Sequence, residues 1–100
     1  MLKIEKKADG AAMTMTLEGR LDTTTSPQFE SELNAVLDGL DSLTLDFEKL
    51  EYISSAGLRV LLSAQKVMSK KGGMTIRHVS DVIMEIFEVT GFIDILHIEA

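Results

Sequence analysis

The sequence predicts a two-layer α/β domain: a mixed sheet of four to five strands with three to four helices mainly on one face. Three observations carry this. Segments that alternate apolar and polar residues are interleaved with segments that place apolar residues at helical spacing. Each alternating segment has one apolar and one largely polar side, whereas a parallel sheet covered on both faces reads as unbroken apolar runs. That argues against a doubly wound fold. Finally, the chain has 100 residues, the size of one domain (1–100), with no linker, internal repeat or low-complexity run.

Leu2, Ile4 and Lys6 alternate with Lys3, Glu5 and Lys7, which predicts the first strand. Met13, Met15 and Leu17 alternate with Thr14, Thr16 and Glu18 in the second. The intervening Asp9-Gly10 is a hairpin turn signal, so these two strands are expected to be antiparallel neighbours. A first helix is expected over Ser26–Leu37, with Phe29, Leu33, Val36 and Leu37 on one stripe. Ser26-Pro27 suits its N-cap and first turn, and Gly39 its end. Leu43, Leu45 and Phe47 against Thr44, Asp46 and Glu48 give the third strand.

The second helix is expected over Ser55–Lys71, where Leu58, Leu61, Leu62, Gln65 and Met68 keep helical spacing. Lys66, Lys70 and Lys71 suit its negative end, and Gly72-Gly73 stops it. Met74, Ile76 and His78 against Thr75, Arg77 and Val79 form the fourth strand. The third helix, Ser80–Val89, carries Val82, Ile83, Ile86 and Phe87, with Ser80 as cap, Asp81 in the first turn and Gly91 as terminator. A short helical turn and a last strand at Leu96–Ile98 complete the order β-β-α-β-α-β-α-β. The unit formed by strand three, helix two and strand four is a right-handed crossover. Sites in such sheets lie beyond the carboxyl ends of strands. Here those are the loops Leu50–Gly57 and Gly19–Ser26.

Composition excludes several functions. There are 10 Lys and Arg against 16 Asp and Glu, a net charge of −6, and no basic stripe, which argues against a nucleic-acid partner. The absence of Cys removes disulfides, thiolate zinc sites and thiol nucleophiles. No run approaches the roughly 18 apolar residues that cross a bilayer. Met1–Asp9 lacks the apolar core of a signal peptide, so the expected address is the cytoplasm, without membrane insertion.

The most informative stretch is Glu51-Tyr52-Ile53-Ser54-Ser55-Ala56-Gly57-Leu58, where two hydroxyls stand at a strand-to-helix junction. One serine can serve as an N-cap, worth about 1 kcal/mol over Ala. The other reading is a modifiable hydroxyl. A phosphoryl group there adds roughly −1.5 to −2 charge, which the N–H groups and dipole of a helix N-terminus favour.

Ile53-Ser54-Ser55-Ala56-Gly57-Leu58-Arg59-Val60-Leu61-Leu62 resembles the signature of STAS domains, in particular the stand-alone anti-sigma factor antagonists of bacteria. Gly19-Arg20-Leu21-Asp22, Leu43-Thr44-Leu45-Asp46-Phe47 and Val89-Thr90-Gly91-Phe92 resemble further family segments, so the likeness spans nearly the whole chain. The resemblance implies a STAS-like fold and a partner switch. The unphosphorylated protein would bind an anti-sigma factor and release sigma. An ATP-dependent serine kinase of the histidine-kinase-like type, often the anti-sigma factor itself, would end the binding, and a serine phosphatase would restore it. The family pattern Asp-Ser-Ser/Thr-Gly-Leu, anchored on Gly57-Leu58, puts the phosphorylated residue at Ser55. Ser54 stands where the family has Asp, and is a second candidate acceptor. The candidate partner-binding residues are Ser54, Ser55, Ala56, Gly57, Leu58 and Arg59 at this corner, joined by Asp22, Thr23 and Thr24 if their loop lies at the same sheet edge; the other reading of that loop is turn chemistry before the first helix. No cofactor or metal is implied. STAS domains also serve as accessory subunits of transport systems and as signalling scaffolds, which is the alternative.

Catalysis finds little support. A hydrolase elbow needs Gly-x-Ser-x-Gly, and the first Gly is missing. His78 and His97 are the available bases, and the parity of His78 predicts a core or edge histidine. No Lys-bearing phosphate loop supports nucleotide binding or hydrolysis, the third reading. Asp46 lacks the acidic pair of a phospho-acceptor aspartate and reads as a solvated or loop-bonding carboxylate. The six Met residues read as packing.

Overall fold

The computed structural model describes residues 2–99. β1 (Leu2–Asp9) and β2 (Ala12–Leu21) form an antiparallel hairpin whose turn uses Gly10 at φ +64°. α1 (Ser26–Asn34) and a 3-10 turn (Leu37–Gly39) lead to β3 (Ser42–Ile53). Then come α2 (Ser55–Met68), β4 (Met74–Arg77), α3 (Asp81–Thr90), a 3-10 turn (Phe92–Asp94) and β5 (His97–Ile98). The predicted order of elements is the observed one.

The strands lie in the sheet in chain order, β1-β2-β3-β4-β5, and every pairing after the hairpin is parallel. Each crossover therefore steps to the next position in the same direction. With right-handed connections, three such steps put all three helices on one face. Burial agrees: Met15, Leu17, Leu43, Leu45, Phe47, Met74 and Ile76 are buried, while Thr14, Thr16, Thr44, Asp46, Thr75 and Arg77 on the other face are half-buried. Phe29 and Leu33 from α1, Leu61 and Met68 from α2, and Ile83 and Phe87 from α3 complete the core. Each such side chain contributes roughly 1.5–3 kcal/mol of burial.

Several boundaries differ from expectation. The first helix ends at Asn34, because the bonds Val36 N–H to Leu33 O, Gly39 N–H to Val36 O and Leu40 N–H to Leu37 O tighten the chain into i→i−3 turns. Its N-cap is Thr25 rather than Ser26, whose hydroxyl donates to the Asp22 carbonyl at 2.5 Å. The second helix ends at Met68. The Met68 carbonyl accepts from Lys71 and Gly73, and Gly73 takes φ +95°. Lys71 Nζ reaches back to the Leu37 carbonyl at 2.6 Å. On the helical stripes, Val60 is buried while Leu62 and Gln65 are only half-buried, and Val82 is exposed.

The largest difference is in β3, which continues through Ile53, so Leu50–Ile53 and Gly19–Leu21 are strand rather than loop. Two register shifts against β2, between Thr16 and Glu18 and between Gly19 and Arg20, break the alternation. Glu48 and Lys49 are consecutively exposed, and Leu50 is buried on the changed parity. β4 pairs with β3 only over Leu43–Asp46. The segment Phe47–Ile53 therefore carries the start of α2 on the order of 20 Å past the end of β4.

Candidate functional site

The site is the corner where β3 ends and α2 begins, beside the loop that joins β2 to α1. Ser54 is the N-cap of α2, in extended conformation, and its Oγ accepts from Gly57 N–H at a long 3.5 Å. Its own N–H donates to the Leu21 carbonyl at 2.8 Å, which ties the corner to the end of β2. Its carbonyl accepts from Leu58 N–H at 3.0 Å and starts the helix. Ser54 is half-buried and engaged, while Ser55, the first residue of α2, is exposed.

Gly57 holds the corner in place. A Cβ there would sit 2.8 Å from Leu21 Cγ and 2.9 Å from Ile53 Cγ1, so only glycine lets the first turn of α2 pack on the ends of β2 and β3. Leu58 is buried behind it. Of the predicted partner-binding residues, Gly57 and Leu58 thus position the corner from inside. Ser55 and Arg59 are exposed, and Ser54 and Ala56 half-buried.

The neighbouring loop is organised by Asp22. Its Oδ1 accepts from Thr24 N–H (3.0 Å), Thr24 Oγ1 (2.8 Å), Thr25 N–H (3.1 Å) and Thr25 Oγ1 (3.2 Å). The hydroxyl of Thr24, then the backbone N–H of Thr25, hold the carboxyl below its ordinary pKa. Thr23 and Thr24 are exposed at the tip, while Thr25 is buried and donates to the Arg20 carbonyl at 2.8 Å. The predicted loop and corner do come together: Thr23, Ser26, Pro27 and Glu30 on one side and Ala56, Arg59, Val60 and Ser63 on the other line an open groove of about 290 Å³. Its α1 wall, with Glu30 opposite Arg59, was not singled out from sequence; the polar side of α1, opposite Phe29 and Leu33, was the available signal. Also missed was the Arg20 guanidinium over the Tyr52 ring, 4.8 Å from its centroid, behind the corner where Arg20 pairs with Tyr52. The register shift just before this pair hid it.

Neither serine hydroxyl touches a histidine or carboxylate among the described residues. His78 lies elsewhere. Of the core or edge position that its parity predicted, it does not take the core: it is exposed just past the end of β4, which stops at Arg77, and turns to φ +58°. Its Nδ1 is 3.0 Å from Asp46 Oδ1. Burial pushes the Asp46 carboxyl up, but the Glu48 N–H, His78 and Arg77 outweigh it and hold its pKa below the ordinary value. Asp46, Glu48 and His78 place their donor atoms within 4.8 Å of one another, on the sheet rather than at the corner. No helix among the described residues is long and apolar enough to cross a membrane.

The geometry therefore offers an exposed serine at a helix N-terminus next to Ala56 of a groove of mixed charge, and among the described residues neither serine meets a base. The family profile described as "Mlab, STAS domain" matches residues 4–97. A Bordetella bronchiseptica protein named as a candidate anti-sigma factor antagonist, BtrV, is 37% identical over 91 residues, covering 89% of this chain and 78% of that one. The crystal structure of an anti-sigma factor antagonist from Mycobacterium paratuberculosis superposes with a TM-score of 0.89 at 19% identity, over 98% of this chain and 85% of that one. The Bacillus cell-fate determinant SpoIIAA in its phosphorylated form matches with a TM-score of 0.74 at 16% identity, over 100% and 92% of the two chains. Its unphosphorylated form matches with a TM-score of 0.75 at 14% identity, over 100% of this chain and 88% of that one. The chain belongs to the STAS domain family.

Proposed function

We propose that this chain is an anti-sigma factor antagonist, a cytoplasmic binding module without catalysis of its own. It docks an anti-sigma factor through the α2 corner and the Asp22–Thr24 loop and thereby releases sigma. A histidine-kinase-like serine kinase phosphorylates Ser55 and ends docking, and a serine phosphatase resets it. The observation that carries this reading is the division of labour between the two serines. Ser54 is half-buried and used as the cap, whereas Ser55 is exposed and directly precedes Ala56, which lines the groove. The names of the relatives support the partner class, and the two SpoIIAA structures support modification within this fold.

The magnitudes suffice. Moving a two-state equilibrium from 99:1 to 1:99 takes about 5.5 kcal/mol. Burying an unpaired, doubly charged phosphate in an interface costs several kcal/mol, before repulsion from any acidic partner group. The test is phosphorylation by the cognate kinase followed by intact-mass analysis and titration calorimetry. Ser54→Ala is expected to accept one phosphate and still bind before modification. Ser55→Ala is expected to bind and accept none. A phosphate that persists in Ser55→Ala overturns the assignment.

Ser54 at the position of the family Asp favours a second reading, in which the corner docks an accessory site of a transport system without modification. It predicts no phosphate in either variant and co-purification with a transporter ATPase.

A further inference from the structure

α3 is apolar on two sides. Ile83 and Phe87 face the core. Val82, Ile86 and Val89, at i, i+4 and i+7, form a second stripe. Val82 is 58% exposed and Val89 80%, and Ile93 and Ile95 are exposed just beyond the helix. Val82, Glu85, Ile86, Val89 and Thr90 border a shallow groove of about 290 Å³. Val is a mediocre helix former, so helix stability does not explain it at two exposed helical positions.

The charge of this region is as distinctive. After Arg77 the chain has no Lys or Arg but five acidic residues, Asp81, Glu85, Glu88, Asp94 and Glu99. The first 77 residues are nearly balanced, with 10 Lys and Arg against 11 Asp and Glu. Almost the whole net charge of −6 therefore belongs to the segment that carries the exposed apolar stripe.

We propose that the outward face of α3 is a second docking surface, for a protein helix that presents apolar side chains flanked by Lys and Arg. The charge selects this occupant. A second copy of the chain would set Glu85 and Glu88 against their own duplicates. An anionic membrane is repelled for the same reason. A basic amphipathic helix covers the stripe with its apolar side and meets the acidic flanks with its cations. The proposal is independent of the α2 corner: the α3 groove is bordered by α3 residues alone and shares none with the groove between α1 and α2.

The test is a two-dimensional amide NMR titration of the labelled chain at physiological salt. The probes are a Leu/Lys amphipathic peptide of roughly 18 residues, about five helical turns, its Leu/Glu counterpart, and phosphatidylserine vesicles. The expected result is saturable shifts confined to residues 81–95 with the Leu/Lys peptide alone. The affinity is expected to fall roughly tenfold or more in the Val82→Lys/Val89→Lys double variant. Val89→Lys alone, at the most exposed position, serves if the double variant misfolds. The proposal is overturned by shifts scattered over acidic residues elsewhere, by affinity that the variants leave unchanged, or by equal binding of the Leu/Glu peptide or vesicles. It is also overturned by sedimentation showing a dimer that Val89→Lys breaks.

Discussion

α2 and α3 open with the same device and differ at the first helical residue. Ser54 and Ser80 are both N-caps in extended conformation, accepting from the N–H three residues on at 3.5 and 3.3 Å. The next residue is Asp81 in α3 and Ser55 in α2. At α3 the helix dipole meets a permanent negative charge; at α2 it meets a neutral hydroxyl, the one we propose as the phosphate acceptor. A phosphate on Ser55 would give α2 the electrostatics α3 already has, so the fold has reason to tolerate modification and only a docked partner has reason to respond. The third helical position differs too. Ile83 fills the core with a large side chain, while Gly57 brings α2 down onto Leu21 and Ile53.

Disturbing this pair of helices should tell most in the packing. Ile83→Ala should cost about 2–5 kcal/mol in denaturant unfolding, the range for a deleted core side chain. Gly57→Ala should cost about 1–3 kcal/mol by overpacking and should also weaken partner binding, because the corner must lift. Gly57→Ala with unchanged stability would mean that α2 does not sit this close to the strands. Next come the caps. Ser54→Ala and Ser80→Ala should each cost about 1 kcal/mol, the former less in view of its longer bond. Smallest is the charge exchange, where Asp81→Asn should lose about 0.3–1 kcal/mol at low salt and less at high salt.

A pH series extends the contrast to the sheet and the corner. Asp22 and Asp46 both have folded pKa values below the ordinary 3.8. Their contribution is complete above that value and is lost as pH falls through the lower folded pKa. Asp46→Asn should therefore flatten the acid limb of the stability profile below about pH 4. An acid limb as steep as that of the unsubstituted chain would show that Asp46 gains nothing from Glu48, Arg77 and His78.

Where each strand alternates and each helix keeps its stripe, the residues announced the fold: Met13–Leu17, Leu43–Phe47 and Phe29–Leu33 needed no tertiary information. The far half of β3 was hidden because its partner strand slips register twice, so Glu48-Lys49 looks like the end of a strand. For His78 the parity left core and edge open, and the left-handed turn at that residue is what keeps it out of the core. At the site, the serine corner was legible from its motif. The roles within it were not, since which serine caps and which is exposed depends on where α2 starts. For the groove wall from α1 the sequence offers only a polar helix side, because the groove itself exists only once Pro27 and Glu30 stand against Ala56 and Arg59.

Charge on Ser55 should leave the fold alone and abolish docking, and both halves can be read on one phosphorylated sample. Denaturant stability and calorimetric affinity for the anti-sigma factor are measured side by side. Stability within about 1 kcal/mol of the unmodified chain is expected, together with loss of measurable binding. Binding that survives phosphorylation, or a fold that does not, contradicts the switch.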